Sequence, residues 1–358
     1  MTEKFNNRCF SFFIYTIMIE GGVEMKYLES HSNDPQYNLS FEEYIFKNLP
    51  LEEEEYVYLW INDPSIIIGR NQNAYAEINE DYVIENNLKV CRRITGGGAV
   101  YHDLGNLNFS FVTKTKGHDR IDFKQYYIPI VNALKAIGID AELSGRNDIT
   151  IDGKKCIGSS QSVYNHRVLS NGCILFNVQL EELAKALNVR EEKLLSKGVK
   201  SVRARVTNIA PYLDDKTLST EDFKAILLKE IFKQFDQEPT EYVLTEEELQ
   251  GVKEIYDSRF SMDAWNYGKK PVGEVIQYRK FPAGFVELAY DLDNGKIRNL
   301  YINGDFFGKE DVEEIREKLD GIDYKKSKVI EVLKSFKLED YFGNITAQEL
   351  ADVFFQDC

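Results

Sequence analysis

The most informative stretch of the sequence is Arg92-Arg93-Ile94-Thr95-Gly96-Gly97-Gly98-Ala99-Val100-Tyr101-His102-Asp103, followed by Leu104-Gly105-Asn106. Its three glycines stand between two predicted strands, Leu88 to Ile94 and Asn106 to Val112. Glycine lets the main chain approach a ligand closely and expose its N–H groups, and the arginines add fork-shaped cations that suit phosphate or carboxylate. The stretch therefore predicts an anion-binding loop, although a glycine triplet alone is as typical of a flexible turn.

A second cluster begins at Gly145-Arg146-Asn147-Asp148 and continues through a predicted hairpin. The strands Asp148 to Ile151 and Lys154 to Ile157 flank Asp152-Gly153, and an Asp-Gly pair between apolar runs is a strong two-residue turn signal. We expect the hairpin to direct one of its two lysines, Lys154 or Lys155, at a ligand, with the Asp148 carboxylate nearby on the partner strand. The other lysine is then an exposed surface charge.

A third cluster runs from Ser196 to Asn208 and is basic, although the whole chain has a formal charge of −15. A solvated basic face would explain it without any function. The acidic balance argues against broad nucleic-acid binding, which needs clustered cations to replace phosphate counterions. Any anion site is therefore expected to be local.

Together the three clusters closely resemble the lipoate-protein ligase family, whose signature reads RRxxGGGxVxHD-x-GN, then GRND, a Lys before a Gly-Ser segment, and KGxxSVRxRVTN. All of these are present here in order, and Gly69-Arg70-Asn71-Gln72-Asn73 matches a further family segment. The stretch after Trp265-Asn266-Tyr267-Gly268 resembles the accessory C-terminal domain of the two-domain, lipoate-protein ligase A-like members. The resemblance covers about residues 26 to 358.

The resemblance implies an α+β fold in which flanking helices cover a mixed sheet, similar to the catalytic cores of biotin ligases and class II aminoacyl-tRNA synthetases. It also implies a small α+β C-terminal domain. We expect a lipoate- and ATP-binding catalytic domain at 25–262 and the accessory domain at 263–358. Residues 1–24 are predicted to be a translated leader or a disordered extension, because Gly21-Gly22 just before Met25 is what an in-frame ribosome-binding site would encode.

The resemblance further implies an adenylate-forming ligase. Lipoate attacks the α-phosphorus of ATP, giving lipoyl-AMP and diphosphate, and the acceptor lysine then takes the lipoyl group. Lys155 would be catalytic, contacting both the lipoyl carboxyl oxygen and the α-phosphate. Asp148 would also hold Mg²⁺. The remaining implied residues form two groups: those that bind lipoate or lipoyl-AMP are Arg93, Thr95, Gly97, Gly98, His102, Asn106, Asn147 and Asp148, and those of a nucleotide loop are Lys197, Ser201, Arg203, Arg205 and Asn208.

Two residues depart from the family pattern: Ile157 stands where Ser is usual, and Asn171 where His is usual. We therefore expect local differences in the pocket. Octanoate lacks only the dithiolane sulfurs, and apolar pockets discriminate such differences by about 1 to 3 kcal/mol. Octanoate is thus predicted to be a usable, poorer substrate.

The implied partners are the lipoyl domains of 2-oxoacid dehydrogenase E2 subunits, the glycine cleavage H protein, or both. We expect a cytoplasmic monomer that binds neither nucleic acid nor membrane. The apolar run from Cys9 to Ile19 is too short to span a bilayer, which takes about 20 residues. The five scattered cysteines favour neither disulfides nor structural zinc.

The main alternative is an ATP-independent octanoyl or lipoyl transferase of the same fold that works through a cysteine thioester. Cys173 or Cys156 would then be the nucleophile, but both lie in predicted strands, Cys173 to Val178 and Lys154 to Ile157, where a buried inert thiol is usual. A binding protein without catalysis would not need Lys155 at the α-phosphate. Biotin ligation is not supported, because the sequence lacks the Gly-rich, GRGRxxR-like signature of biotin ligases.

Overall fold

The computed structural model describes residues 24–115, 123–145, 147–188 and 205–356. The predicted leader lies outside the described residues except for Glu24, which already belongs to the first strand. Lys197, Ser201 and Arg203 of the predicted nucleotide loop also lie outside them.

A seven-stranded mixed sheet forms the centre of the first unit, in the order β1-β2-β6-β10-β9-β8-β7. Only the β1/β2 pair is parallel; the other neighbours are antiparallel. The strands are β1 (Glu24–Leu28), β2 (Glu54–Ile61), β6 (Asn106–Lys114), β7 (Glu142–Ser144), β8 (Asp148–Ile151), β9 (Lys154–Tyr164) and β10 (Arg167–Leu175). A second, three-stranded sheet contains β3 (Ser65–Ile68), β4 (Lys89–Arg92) and β5 (Val100–His102).

Both faces of the large sheet are covered, which strand β2 illustrates. Val57 and Leu59 point into a core built with two helices, while Tyr58 and Trp60 point into a second core on the opposite face. All four are buried, as expected for a strand that carries no polar alternation. The helices of this unit are α1 (Pro35–Asn48), α2 (Ala74–Glu77), α3 (Glu80–Glu85), α4 (Phe123–Ala136), α5 (Leu180–Ala186), α6 (Thr220–Lys233), α7 (Glu246–Ile255) and α8 (Asp263–Asn266).

Helix α1 covers the face of the large sheet that also looks toward the small sheet. It begins where Asp34 accepts a hydrogen bond from Gln36 N (2.9 Å) and Pro35 occupies the first turn, where a missing N–H costs nothing. Its buried side includes Leu39 and Phe41. The space between helix α1 and the two sheets is the cavity described below.

The second unit has a core of its own, made by a three-stranded antiparallel meander and four helices. Its strands β12 and β13 are joined at Asn294-Gly295, where both residues have positive φ (50° and 75°), as a two-residue hairpin turn requires. The elements are β11 (Val275–Phe281), β12 (Gly284–Asp293), β13 (Lys296–Gly304), α9 (Glu313–Leu319), α10 (Lys326–Leu333), α11 (Glu339–Phe342) and α12 (Ala347–Phe354).

The α+β fold class is thus confirmed, while one predicted strand is wrong at both ends. The run Cys173 to Val178 was expected to be a strand, but β10 spans Arg167–Leu175. Phe176 and Val178 are buried beyond the end of the strand, so the apolar run reflects burial rather than sheet pairing. Among the described residues, no helix combines the length and apolar composition that crossing a membrane would require.

Candidate active site

Lys155 is placed by the predicted hairpin between β8 and β9. Asp152 and Gly153 both have positive φ (50° and 73°), so the turn is the two-residue type that the Asp-Gly pair indicates. Lys154 is exposed, whereas Lys155 Nζ lies 2.7 Å from Asp148 Oδ1. Both side chains of this pair are 38% exposed, so the ion pair is screened by water and adds little stability. It leaves a positioned cation at the surface of a cavity.

The main chain of Lys155 is fixed by the segment that closes the basic loop. Lys155 N donates to Arg205 O (2.8 Å), and Thr207 N donates to Lys155 O (2.9 Å). Asn208 then exchanges hydrogen bonds with the main chain of Val178 at 3.1 and 2.9 Å. Arg205 therefore lies beside the lysine, while Asn208 anchors the end of the loop.

The glycine loop is shaped from behind by Arg93. Its guanidinium donates to Gly96 O (2.6 Å) and Gly98 O (2.9 Å), and burial lowers its pKa to about 10. Gly97 has φ +92°, and its carbonyl oxygen lies only 1.9 Å from the position that a Cβ on Gly69 would take. Arg93 lines the cavity, yet these N–H groups bind main-chain carbonyls rather than point to an open anion cradle.

The main cavity, of about 480 Å³, lies between the glycine loop, the large sheet and helix α1. Lys155 and Asp148 mark its accessible end. Its other end is closed by buried residues that come from five different elements: Leu39, Trp60, Ile67, His102 and Asn108. Asn147, Gly97 and Gly98 also line it, so most of the predicted binding residues share one space.

His102 is neutral at the closed end of this cavity. It is 3% exposed, and burial together with the charge of Arg93 lowers its pKa to about 3. Its Nδ1 lies 3.1 Å from Asn62 Nδ2, and its Nε2 is buried with no hydrogen-bond partner in the described structure. Asn106 does not line the cavity; its Nδ2 donates instead to Asn108 Oδ1 (2.9 Å), and Asn108 does line it.

Thr95 does not line the cavity itself but belongs to a buried polar chain whose members Ser160 and Asn171 do. Thr95 Oγ1 lies 2.7 Å from Ser160 Oγ, and Asn171 accepts from Ser160 and donates to Glu42 Oε1 (2.9 Å). Burial raises the pKa of Glu42, which favours the neutral carboxylic acid. Asn171, the departure from the family pattern, therefore has hydrogen-bond partners in this network, in which Glu42 Oε2 is the buried atom without one among the described residues. Ile157 packs in the opposite core and does not line the cavity.

A second cavity, of about 340 Å³, meets the first at Lys155 and Gly98. It is lined mainly by apolar residues of helix α5 and its surroundings, with polar groups at its edge. The residues that line it include Tyr101, Leu183, Leu187, Asn188, Arg205 and Val206.

The second unit closes over the glycine loop. Gly304 N donates to Asn71 O (2.8 Å), and Phe306 and Phe307 lie directly against Gly96 and Gly97. Lys280 and Asp305 also reach the main cavity. None of these contacts was predicted from the sequence, because no local pattern connects a C-terminal meander with a loop about 200 residues earlier.

The thiols of Cys156 and Cys173 are buried and free, and burial raises the pKa of both, to about 12 for Cys156. A thiol with a raised pKa is a poor nucleophile, so the structure gives no support to a thioester mechanism. Among the residues that the structure describes, no group of three or more His, Cys, Asp or Glu is arranged to hold a metal ion.

Comparison with known proteins identifies two families along the chain. Residues 34–232 match the lipoyl protein ligase A/B catalytic domain, and residues 271–354 match the bacterial lipoate protein ligase C-terminus. The lipoate-protein ligase LplJ of Bacillus subtilis is 44% identical over 90% of this chain and 97% of its own. Lipoate–protein ligase 1 of Staphylococcus aureus is 42% identical over 91% and 98%.

Solved structures agree with these relatives. P. falciparum LipL1, crystallised in complex with lipoate, superposes with a TM-score of 0.74 at 27% identity and covers 94% of this chain and 99% of its own. A lipoate-protein ligase A bound with ATP superposes with a TM-score of 0.59 at 28% identity, over 69% and 98%.

Proposed function

This chain belongs to the lipoate-protein ligase family, and we propose that its ligase reaction takes place where the two cavities meet, at the ammonium group of Lys155. The family's reaction is ATP-dependent. Lipoate and ATP are bound by the relatives crystallised with them, and we assign both to this chain as its substrates. The observation that carries the proposal is the position of Lys155, shared by both cavities and held 2.7 Å from Asp148.

The two substrates are assigned by what lines each cavity. The main cavity is a closed slot that ends at Leu39, Trp60 and Ile67, which suits a flexible acyl tail. Each buried methylene contributes about 0.8 kcal/mol of affinity. The second cavity is bordered by Arg205, where the basic loop ends, and its Leu183 and Leu187 with Asn188 at the edge suit a flat purine base. The carboxyl group of lipoate and the α-phosphate of ATP then meet at Lys155.

In the first step a lipoate carboxylate oxygen forms a bond to the α-phosphorus, and the bond from that phosphorus to the diphosphate oxygen breaks. The Lys155 ammonium opposes the negative charge that accumulates on the α-phosphoryl oxygens. In the second step the neutral amine of the acceptor lysine attacks the acyl carbon, AMP leaves, and the amine nitrogen gives up a proton. Gly97 and Gly98 line the same cavity, where the lack of a side chain lets the main chain approach the substrate.

Asp148 fits the predicted Mg²⁺, since Mg²⁺ is commonly held by one or two carboxylates together with substrate phosphates. Its side chain is 38% exposed and lines the main cavity beside Lys155. The ion would supply charge neutralisation of the phosphates. Without nucleotide, Asp148 instead orients the lysine.

The acceptor, the cellular compartment and the oligomeric state complete the proposal. A neighbouring structure is a bi-partite lipoate protein ligase and its E2 lipoyl domain from Thermoplasma acidophilum, with a TM-score of 0.61 at 30% identity. We assign to this chain, as acceptors, the lipoyl domains of E2 subunits, the glycine cleavage H protein, or both. We also assign a monomer, and the free buried thiols and the need for ATP favour the cytoplasm as its compartment.

The test is lipoate-dependent diphosphate release with ATP and Mg²⁺. Replacing Lys155→Ala is expected to lower the rate at least about a hundredfold, which is the usual effect of removing one group that stabilises transition-state charge. The matched control is Lys154→Ala, because this neighbouring lysine is exposed on the other side of the strand; we expect it to change the rate by less than about twofold.

A Cys156→Ser/Cys173→Ser double variant distinguishes the ligase from the ATP-independent thioester transferase. Full diphosphate release in that variant supports the ligase. Acyl transfer that needs no ATP and disappears in the double variant would instead establish the thioester transferase.

A further inference from the structure

His102 and its neighbours form a hydrogen-bond relay that ends in the main cavity. Asn38 lies at the centre: its Oδ1 accepts from Ser30 Oγ (2.7 Å) and Tyr58 OH (2.9 Å). Its Nδ2 donates to Ser32 O (2.9 Å) and to Asn62 Oδ1 (2.9 Å). Two hydroxyl donors on one side and a main-chain carbonyl on the other leave one orientation for the Asn38 amide.

The orientation of Asn38 fixes that of Asn62. Because Asn62 Oδ1 accepts from Asn38, its Nδ2 is the atom that faces His102 Nδ1, at 3.1 Å. An amide nitrogen can only donate, so Nδ1 must be the unprotonated nitrogen of the ring. The neutral imidazole therefore carries its proton on Nε2.

This Nε2–H group is a buried donor without a partner in the described structure, and His102 lines the closed end of the cavity. Asn108 adds a second such donor: its Oδ1 is bound by Asn106, and its Nδ2 is buried and without a partner among the described residues. Both side chains are nearly inaccessible to solvent, at 3% and 2%. A purely apolar tail end would leave these donors unpaired, at a cost that protein interiors rarely accept.

We propose that the Asn38–Asn62 relay holds His102 as the Nε2–H tautomer so that this group, with Asn108, recognises the dithiolane sulfurs of lipoate and disfavours octanoate. Asn62 is a positioning residue in this arrangement, since it acts through His102. The inference rests on the proposed function and adds to it the residues that set acyl specificity. Sulfur is a weak acceptor, so the expected preference is moderate rather than absolute.

The first experiment is nitrogen NMR of the histidine rings in the full chain. The chain has four histidines, so the signals of His102 are identified by their loss in His102→Phe. Wild-type His102 is expected to show a protonated Nε2 and an unprotonated Nδ1, and lipoate, not octanoate, is expected to shift the Nε2 proton. A proton found on Nδ1 in the wild type would overturn the proposal.

The second experiment compares kcat/KM for lipoate and octanoate in diphosphate release. In His102→Phe we expect the lipoate-to-octanoate ratio to fall about tenfold, because the donor that distinguishes the two acids is gone. Asn62→Leu should lower the ratio in the same direction and mix the two tautomers of His102. His166→Gln, which alters an exposed histidine in the β9–β10 turn, is the matched control and should leave the ratio unchanged.

The rate measurements distinguish a failure of the specificity proposal from a failure of the proposed ligase function. Release with both acids and an equal ratio in wild type and His102→Phe would remove the specificity proposal and keep the ligase. No release with either acid in the wild type would remove the proposed function itself. If Asn62→Leu does not fold, wild-type NMR and the His102→Phe ratio still give the answer.

Discussion

His102→Phe should make the protein markedly less sensitive to acid. Burial and Arg93 lower the pKa of His102 to about 3 in the folded state, against about 6.5 in an unfolded chain. Between these values the unfolded state binds more protons, so the contribution of this residue to stability falls as the pH falls. Each pH unit in that window is worth about 1.4 kcal/mol, which gives about 2 to 3 kcal/mol between about pH 7 and about pH 4.5.

The assay is urea denaturation at both pH values, followed by tryptophan fluorescence. The chain has two tryptophans, Trp60 and Trp265, and both belong to the packing of the first unit. Glu42, whose raised pKa works in the opposite direction, is present in wild type and variant and cancels in the comparison. The exposed His166 supplies the control, His166→Gln, which should keep the wild-type acid sensitivity. Equal losses of unfolding free energy in wild type and His102→Phe would refute the reasoning.

Two further predictions concern the glycine loop and its support. Gly69→Ala should lower adenylation by about tenfold or more, because its Cβ would lie 1.9 Å from Gly97 O and displace the loop; diphosphate release measures it, and a wild-type rate would contradict the assigned loop geometry. Arg92→Lys should lower the free energy of unfolding by about 3 kcal/mol, because an ammonium group cannot bind all the carbonyls that the guanidinium binds. The guanidinium donates to five main-chain carbonyls, those of Gly69, Arg70, Gln72, Trp265 and Tyr267. Urea denaturation tests it, and a loss below about 1 kcal/mol would show that those carbonyls find other partners.

The parts of the site that sequence reasoning predicted are local in the chain. The Asp152-Gly153 turn sets the hairpin, and the hairpin sets which lysine faces Asp148, so nothing distant is needed. The closed end of the cavity is different. Leu39, Trp60 and Asn108 come from one helix and two strands, and each is an ordinary core residue in its own segment. Only the assembled sheet brings them together.

The two arginines of the motif have a different role from the one that the motif suggested. The sequence suggested that the cations before the glycines form an open anion cradle. The guanidinium of Arg92 instead donates hydrogen bonds to main-chain carbonyls of two other segments, one containing Gly69 and Gln72 and the other containing Tyr267. Its direction depends on which buried carbonyls lack partners, and that is decided by loops far along the chain. The polar relay through Asn38 and Asn62 was missed for the same reason.

The short main-chain pairing between Lys155 and the segment Arg205 to Thr207 ties the position of the lysine to the end of the basic loop. Two main-chain hydrogen bonds join these segments, and a main-chain bond does not depend on which side chain its residue carries. We therefore expect the position of Lys155 to tolerate side-chain substitution at Thr207 better than a change in the length of the main chain there. For protein engineering, this pairing is a place where an insertion would displace the main chain of Lys155.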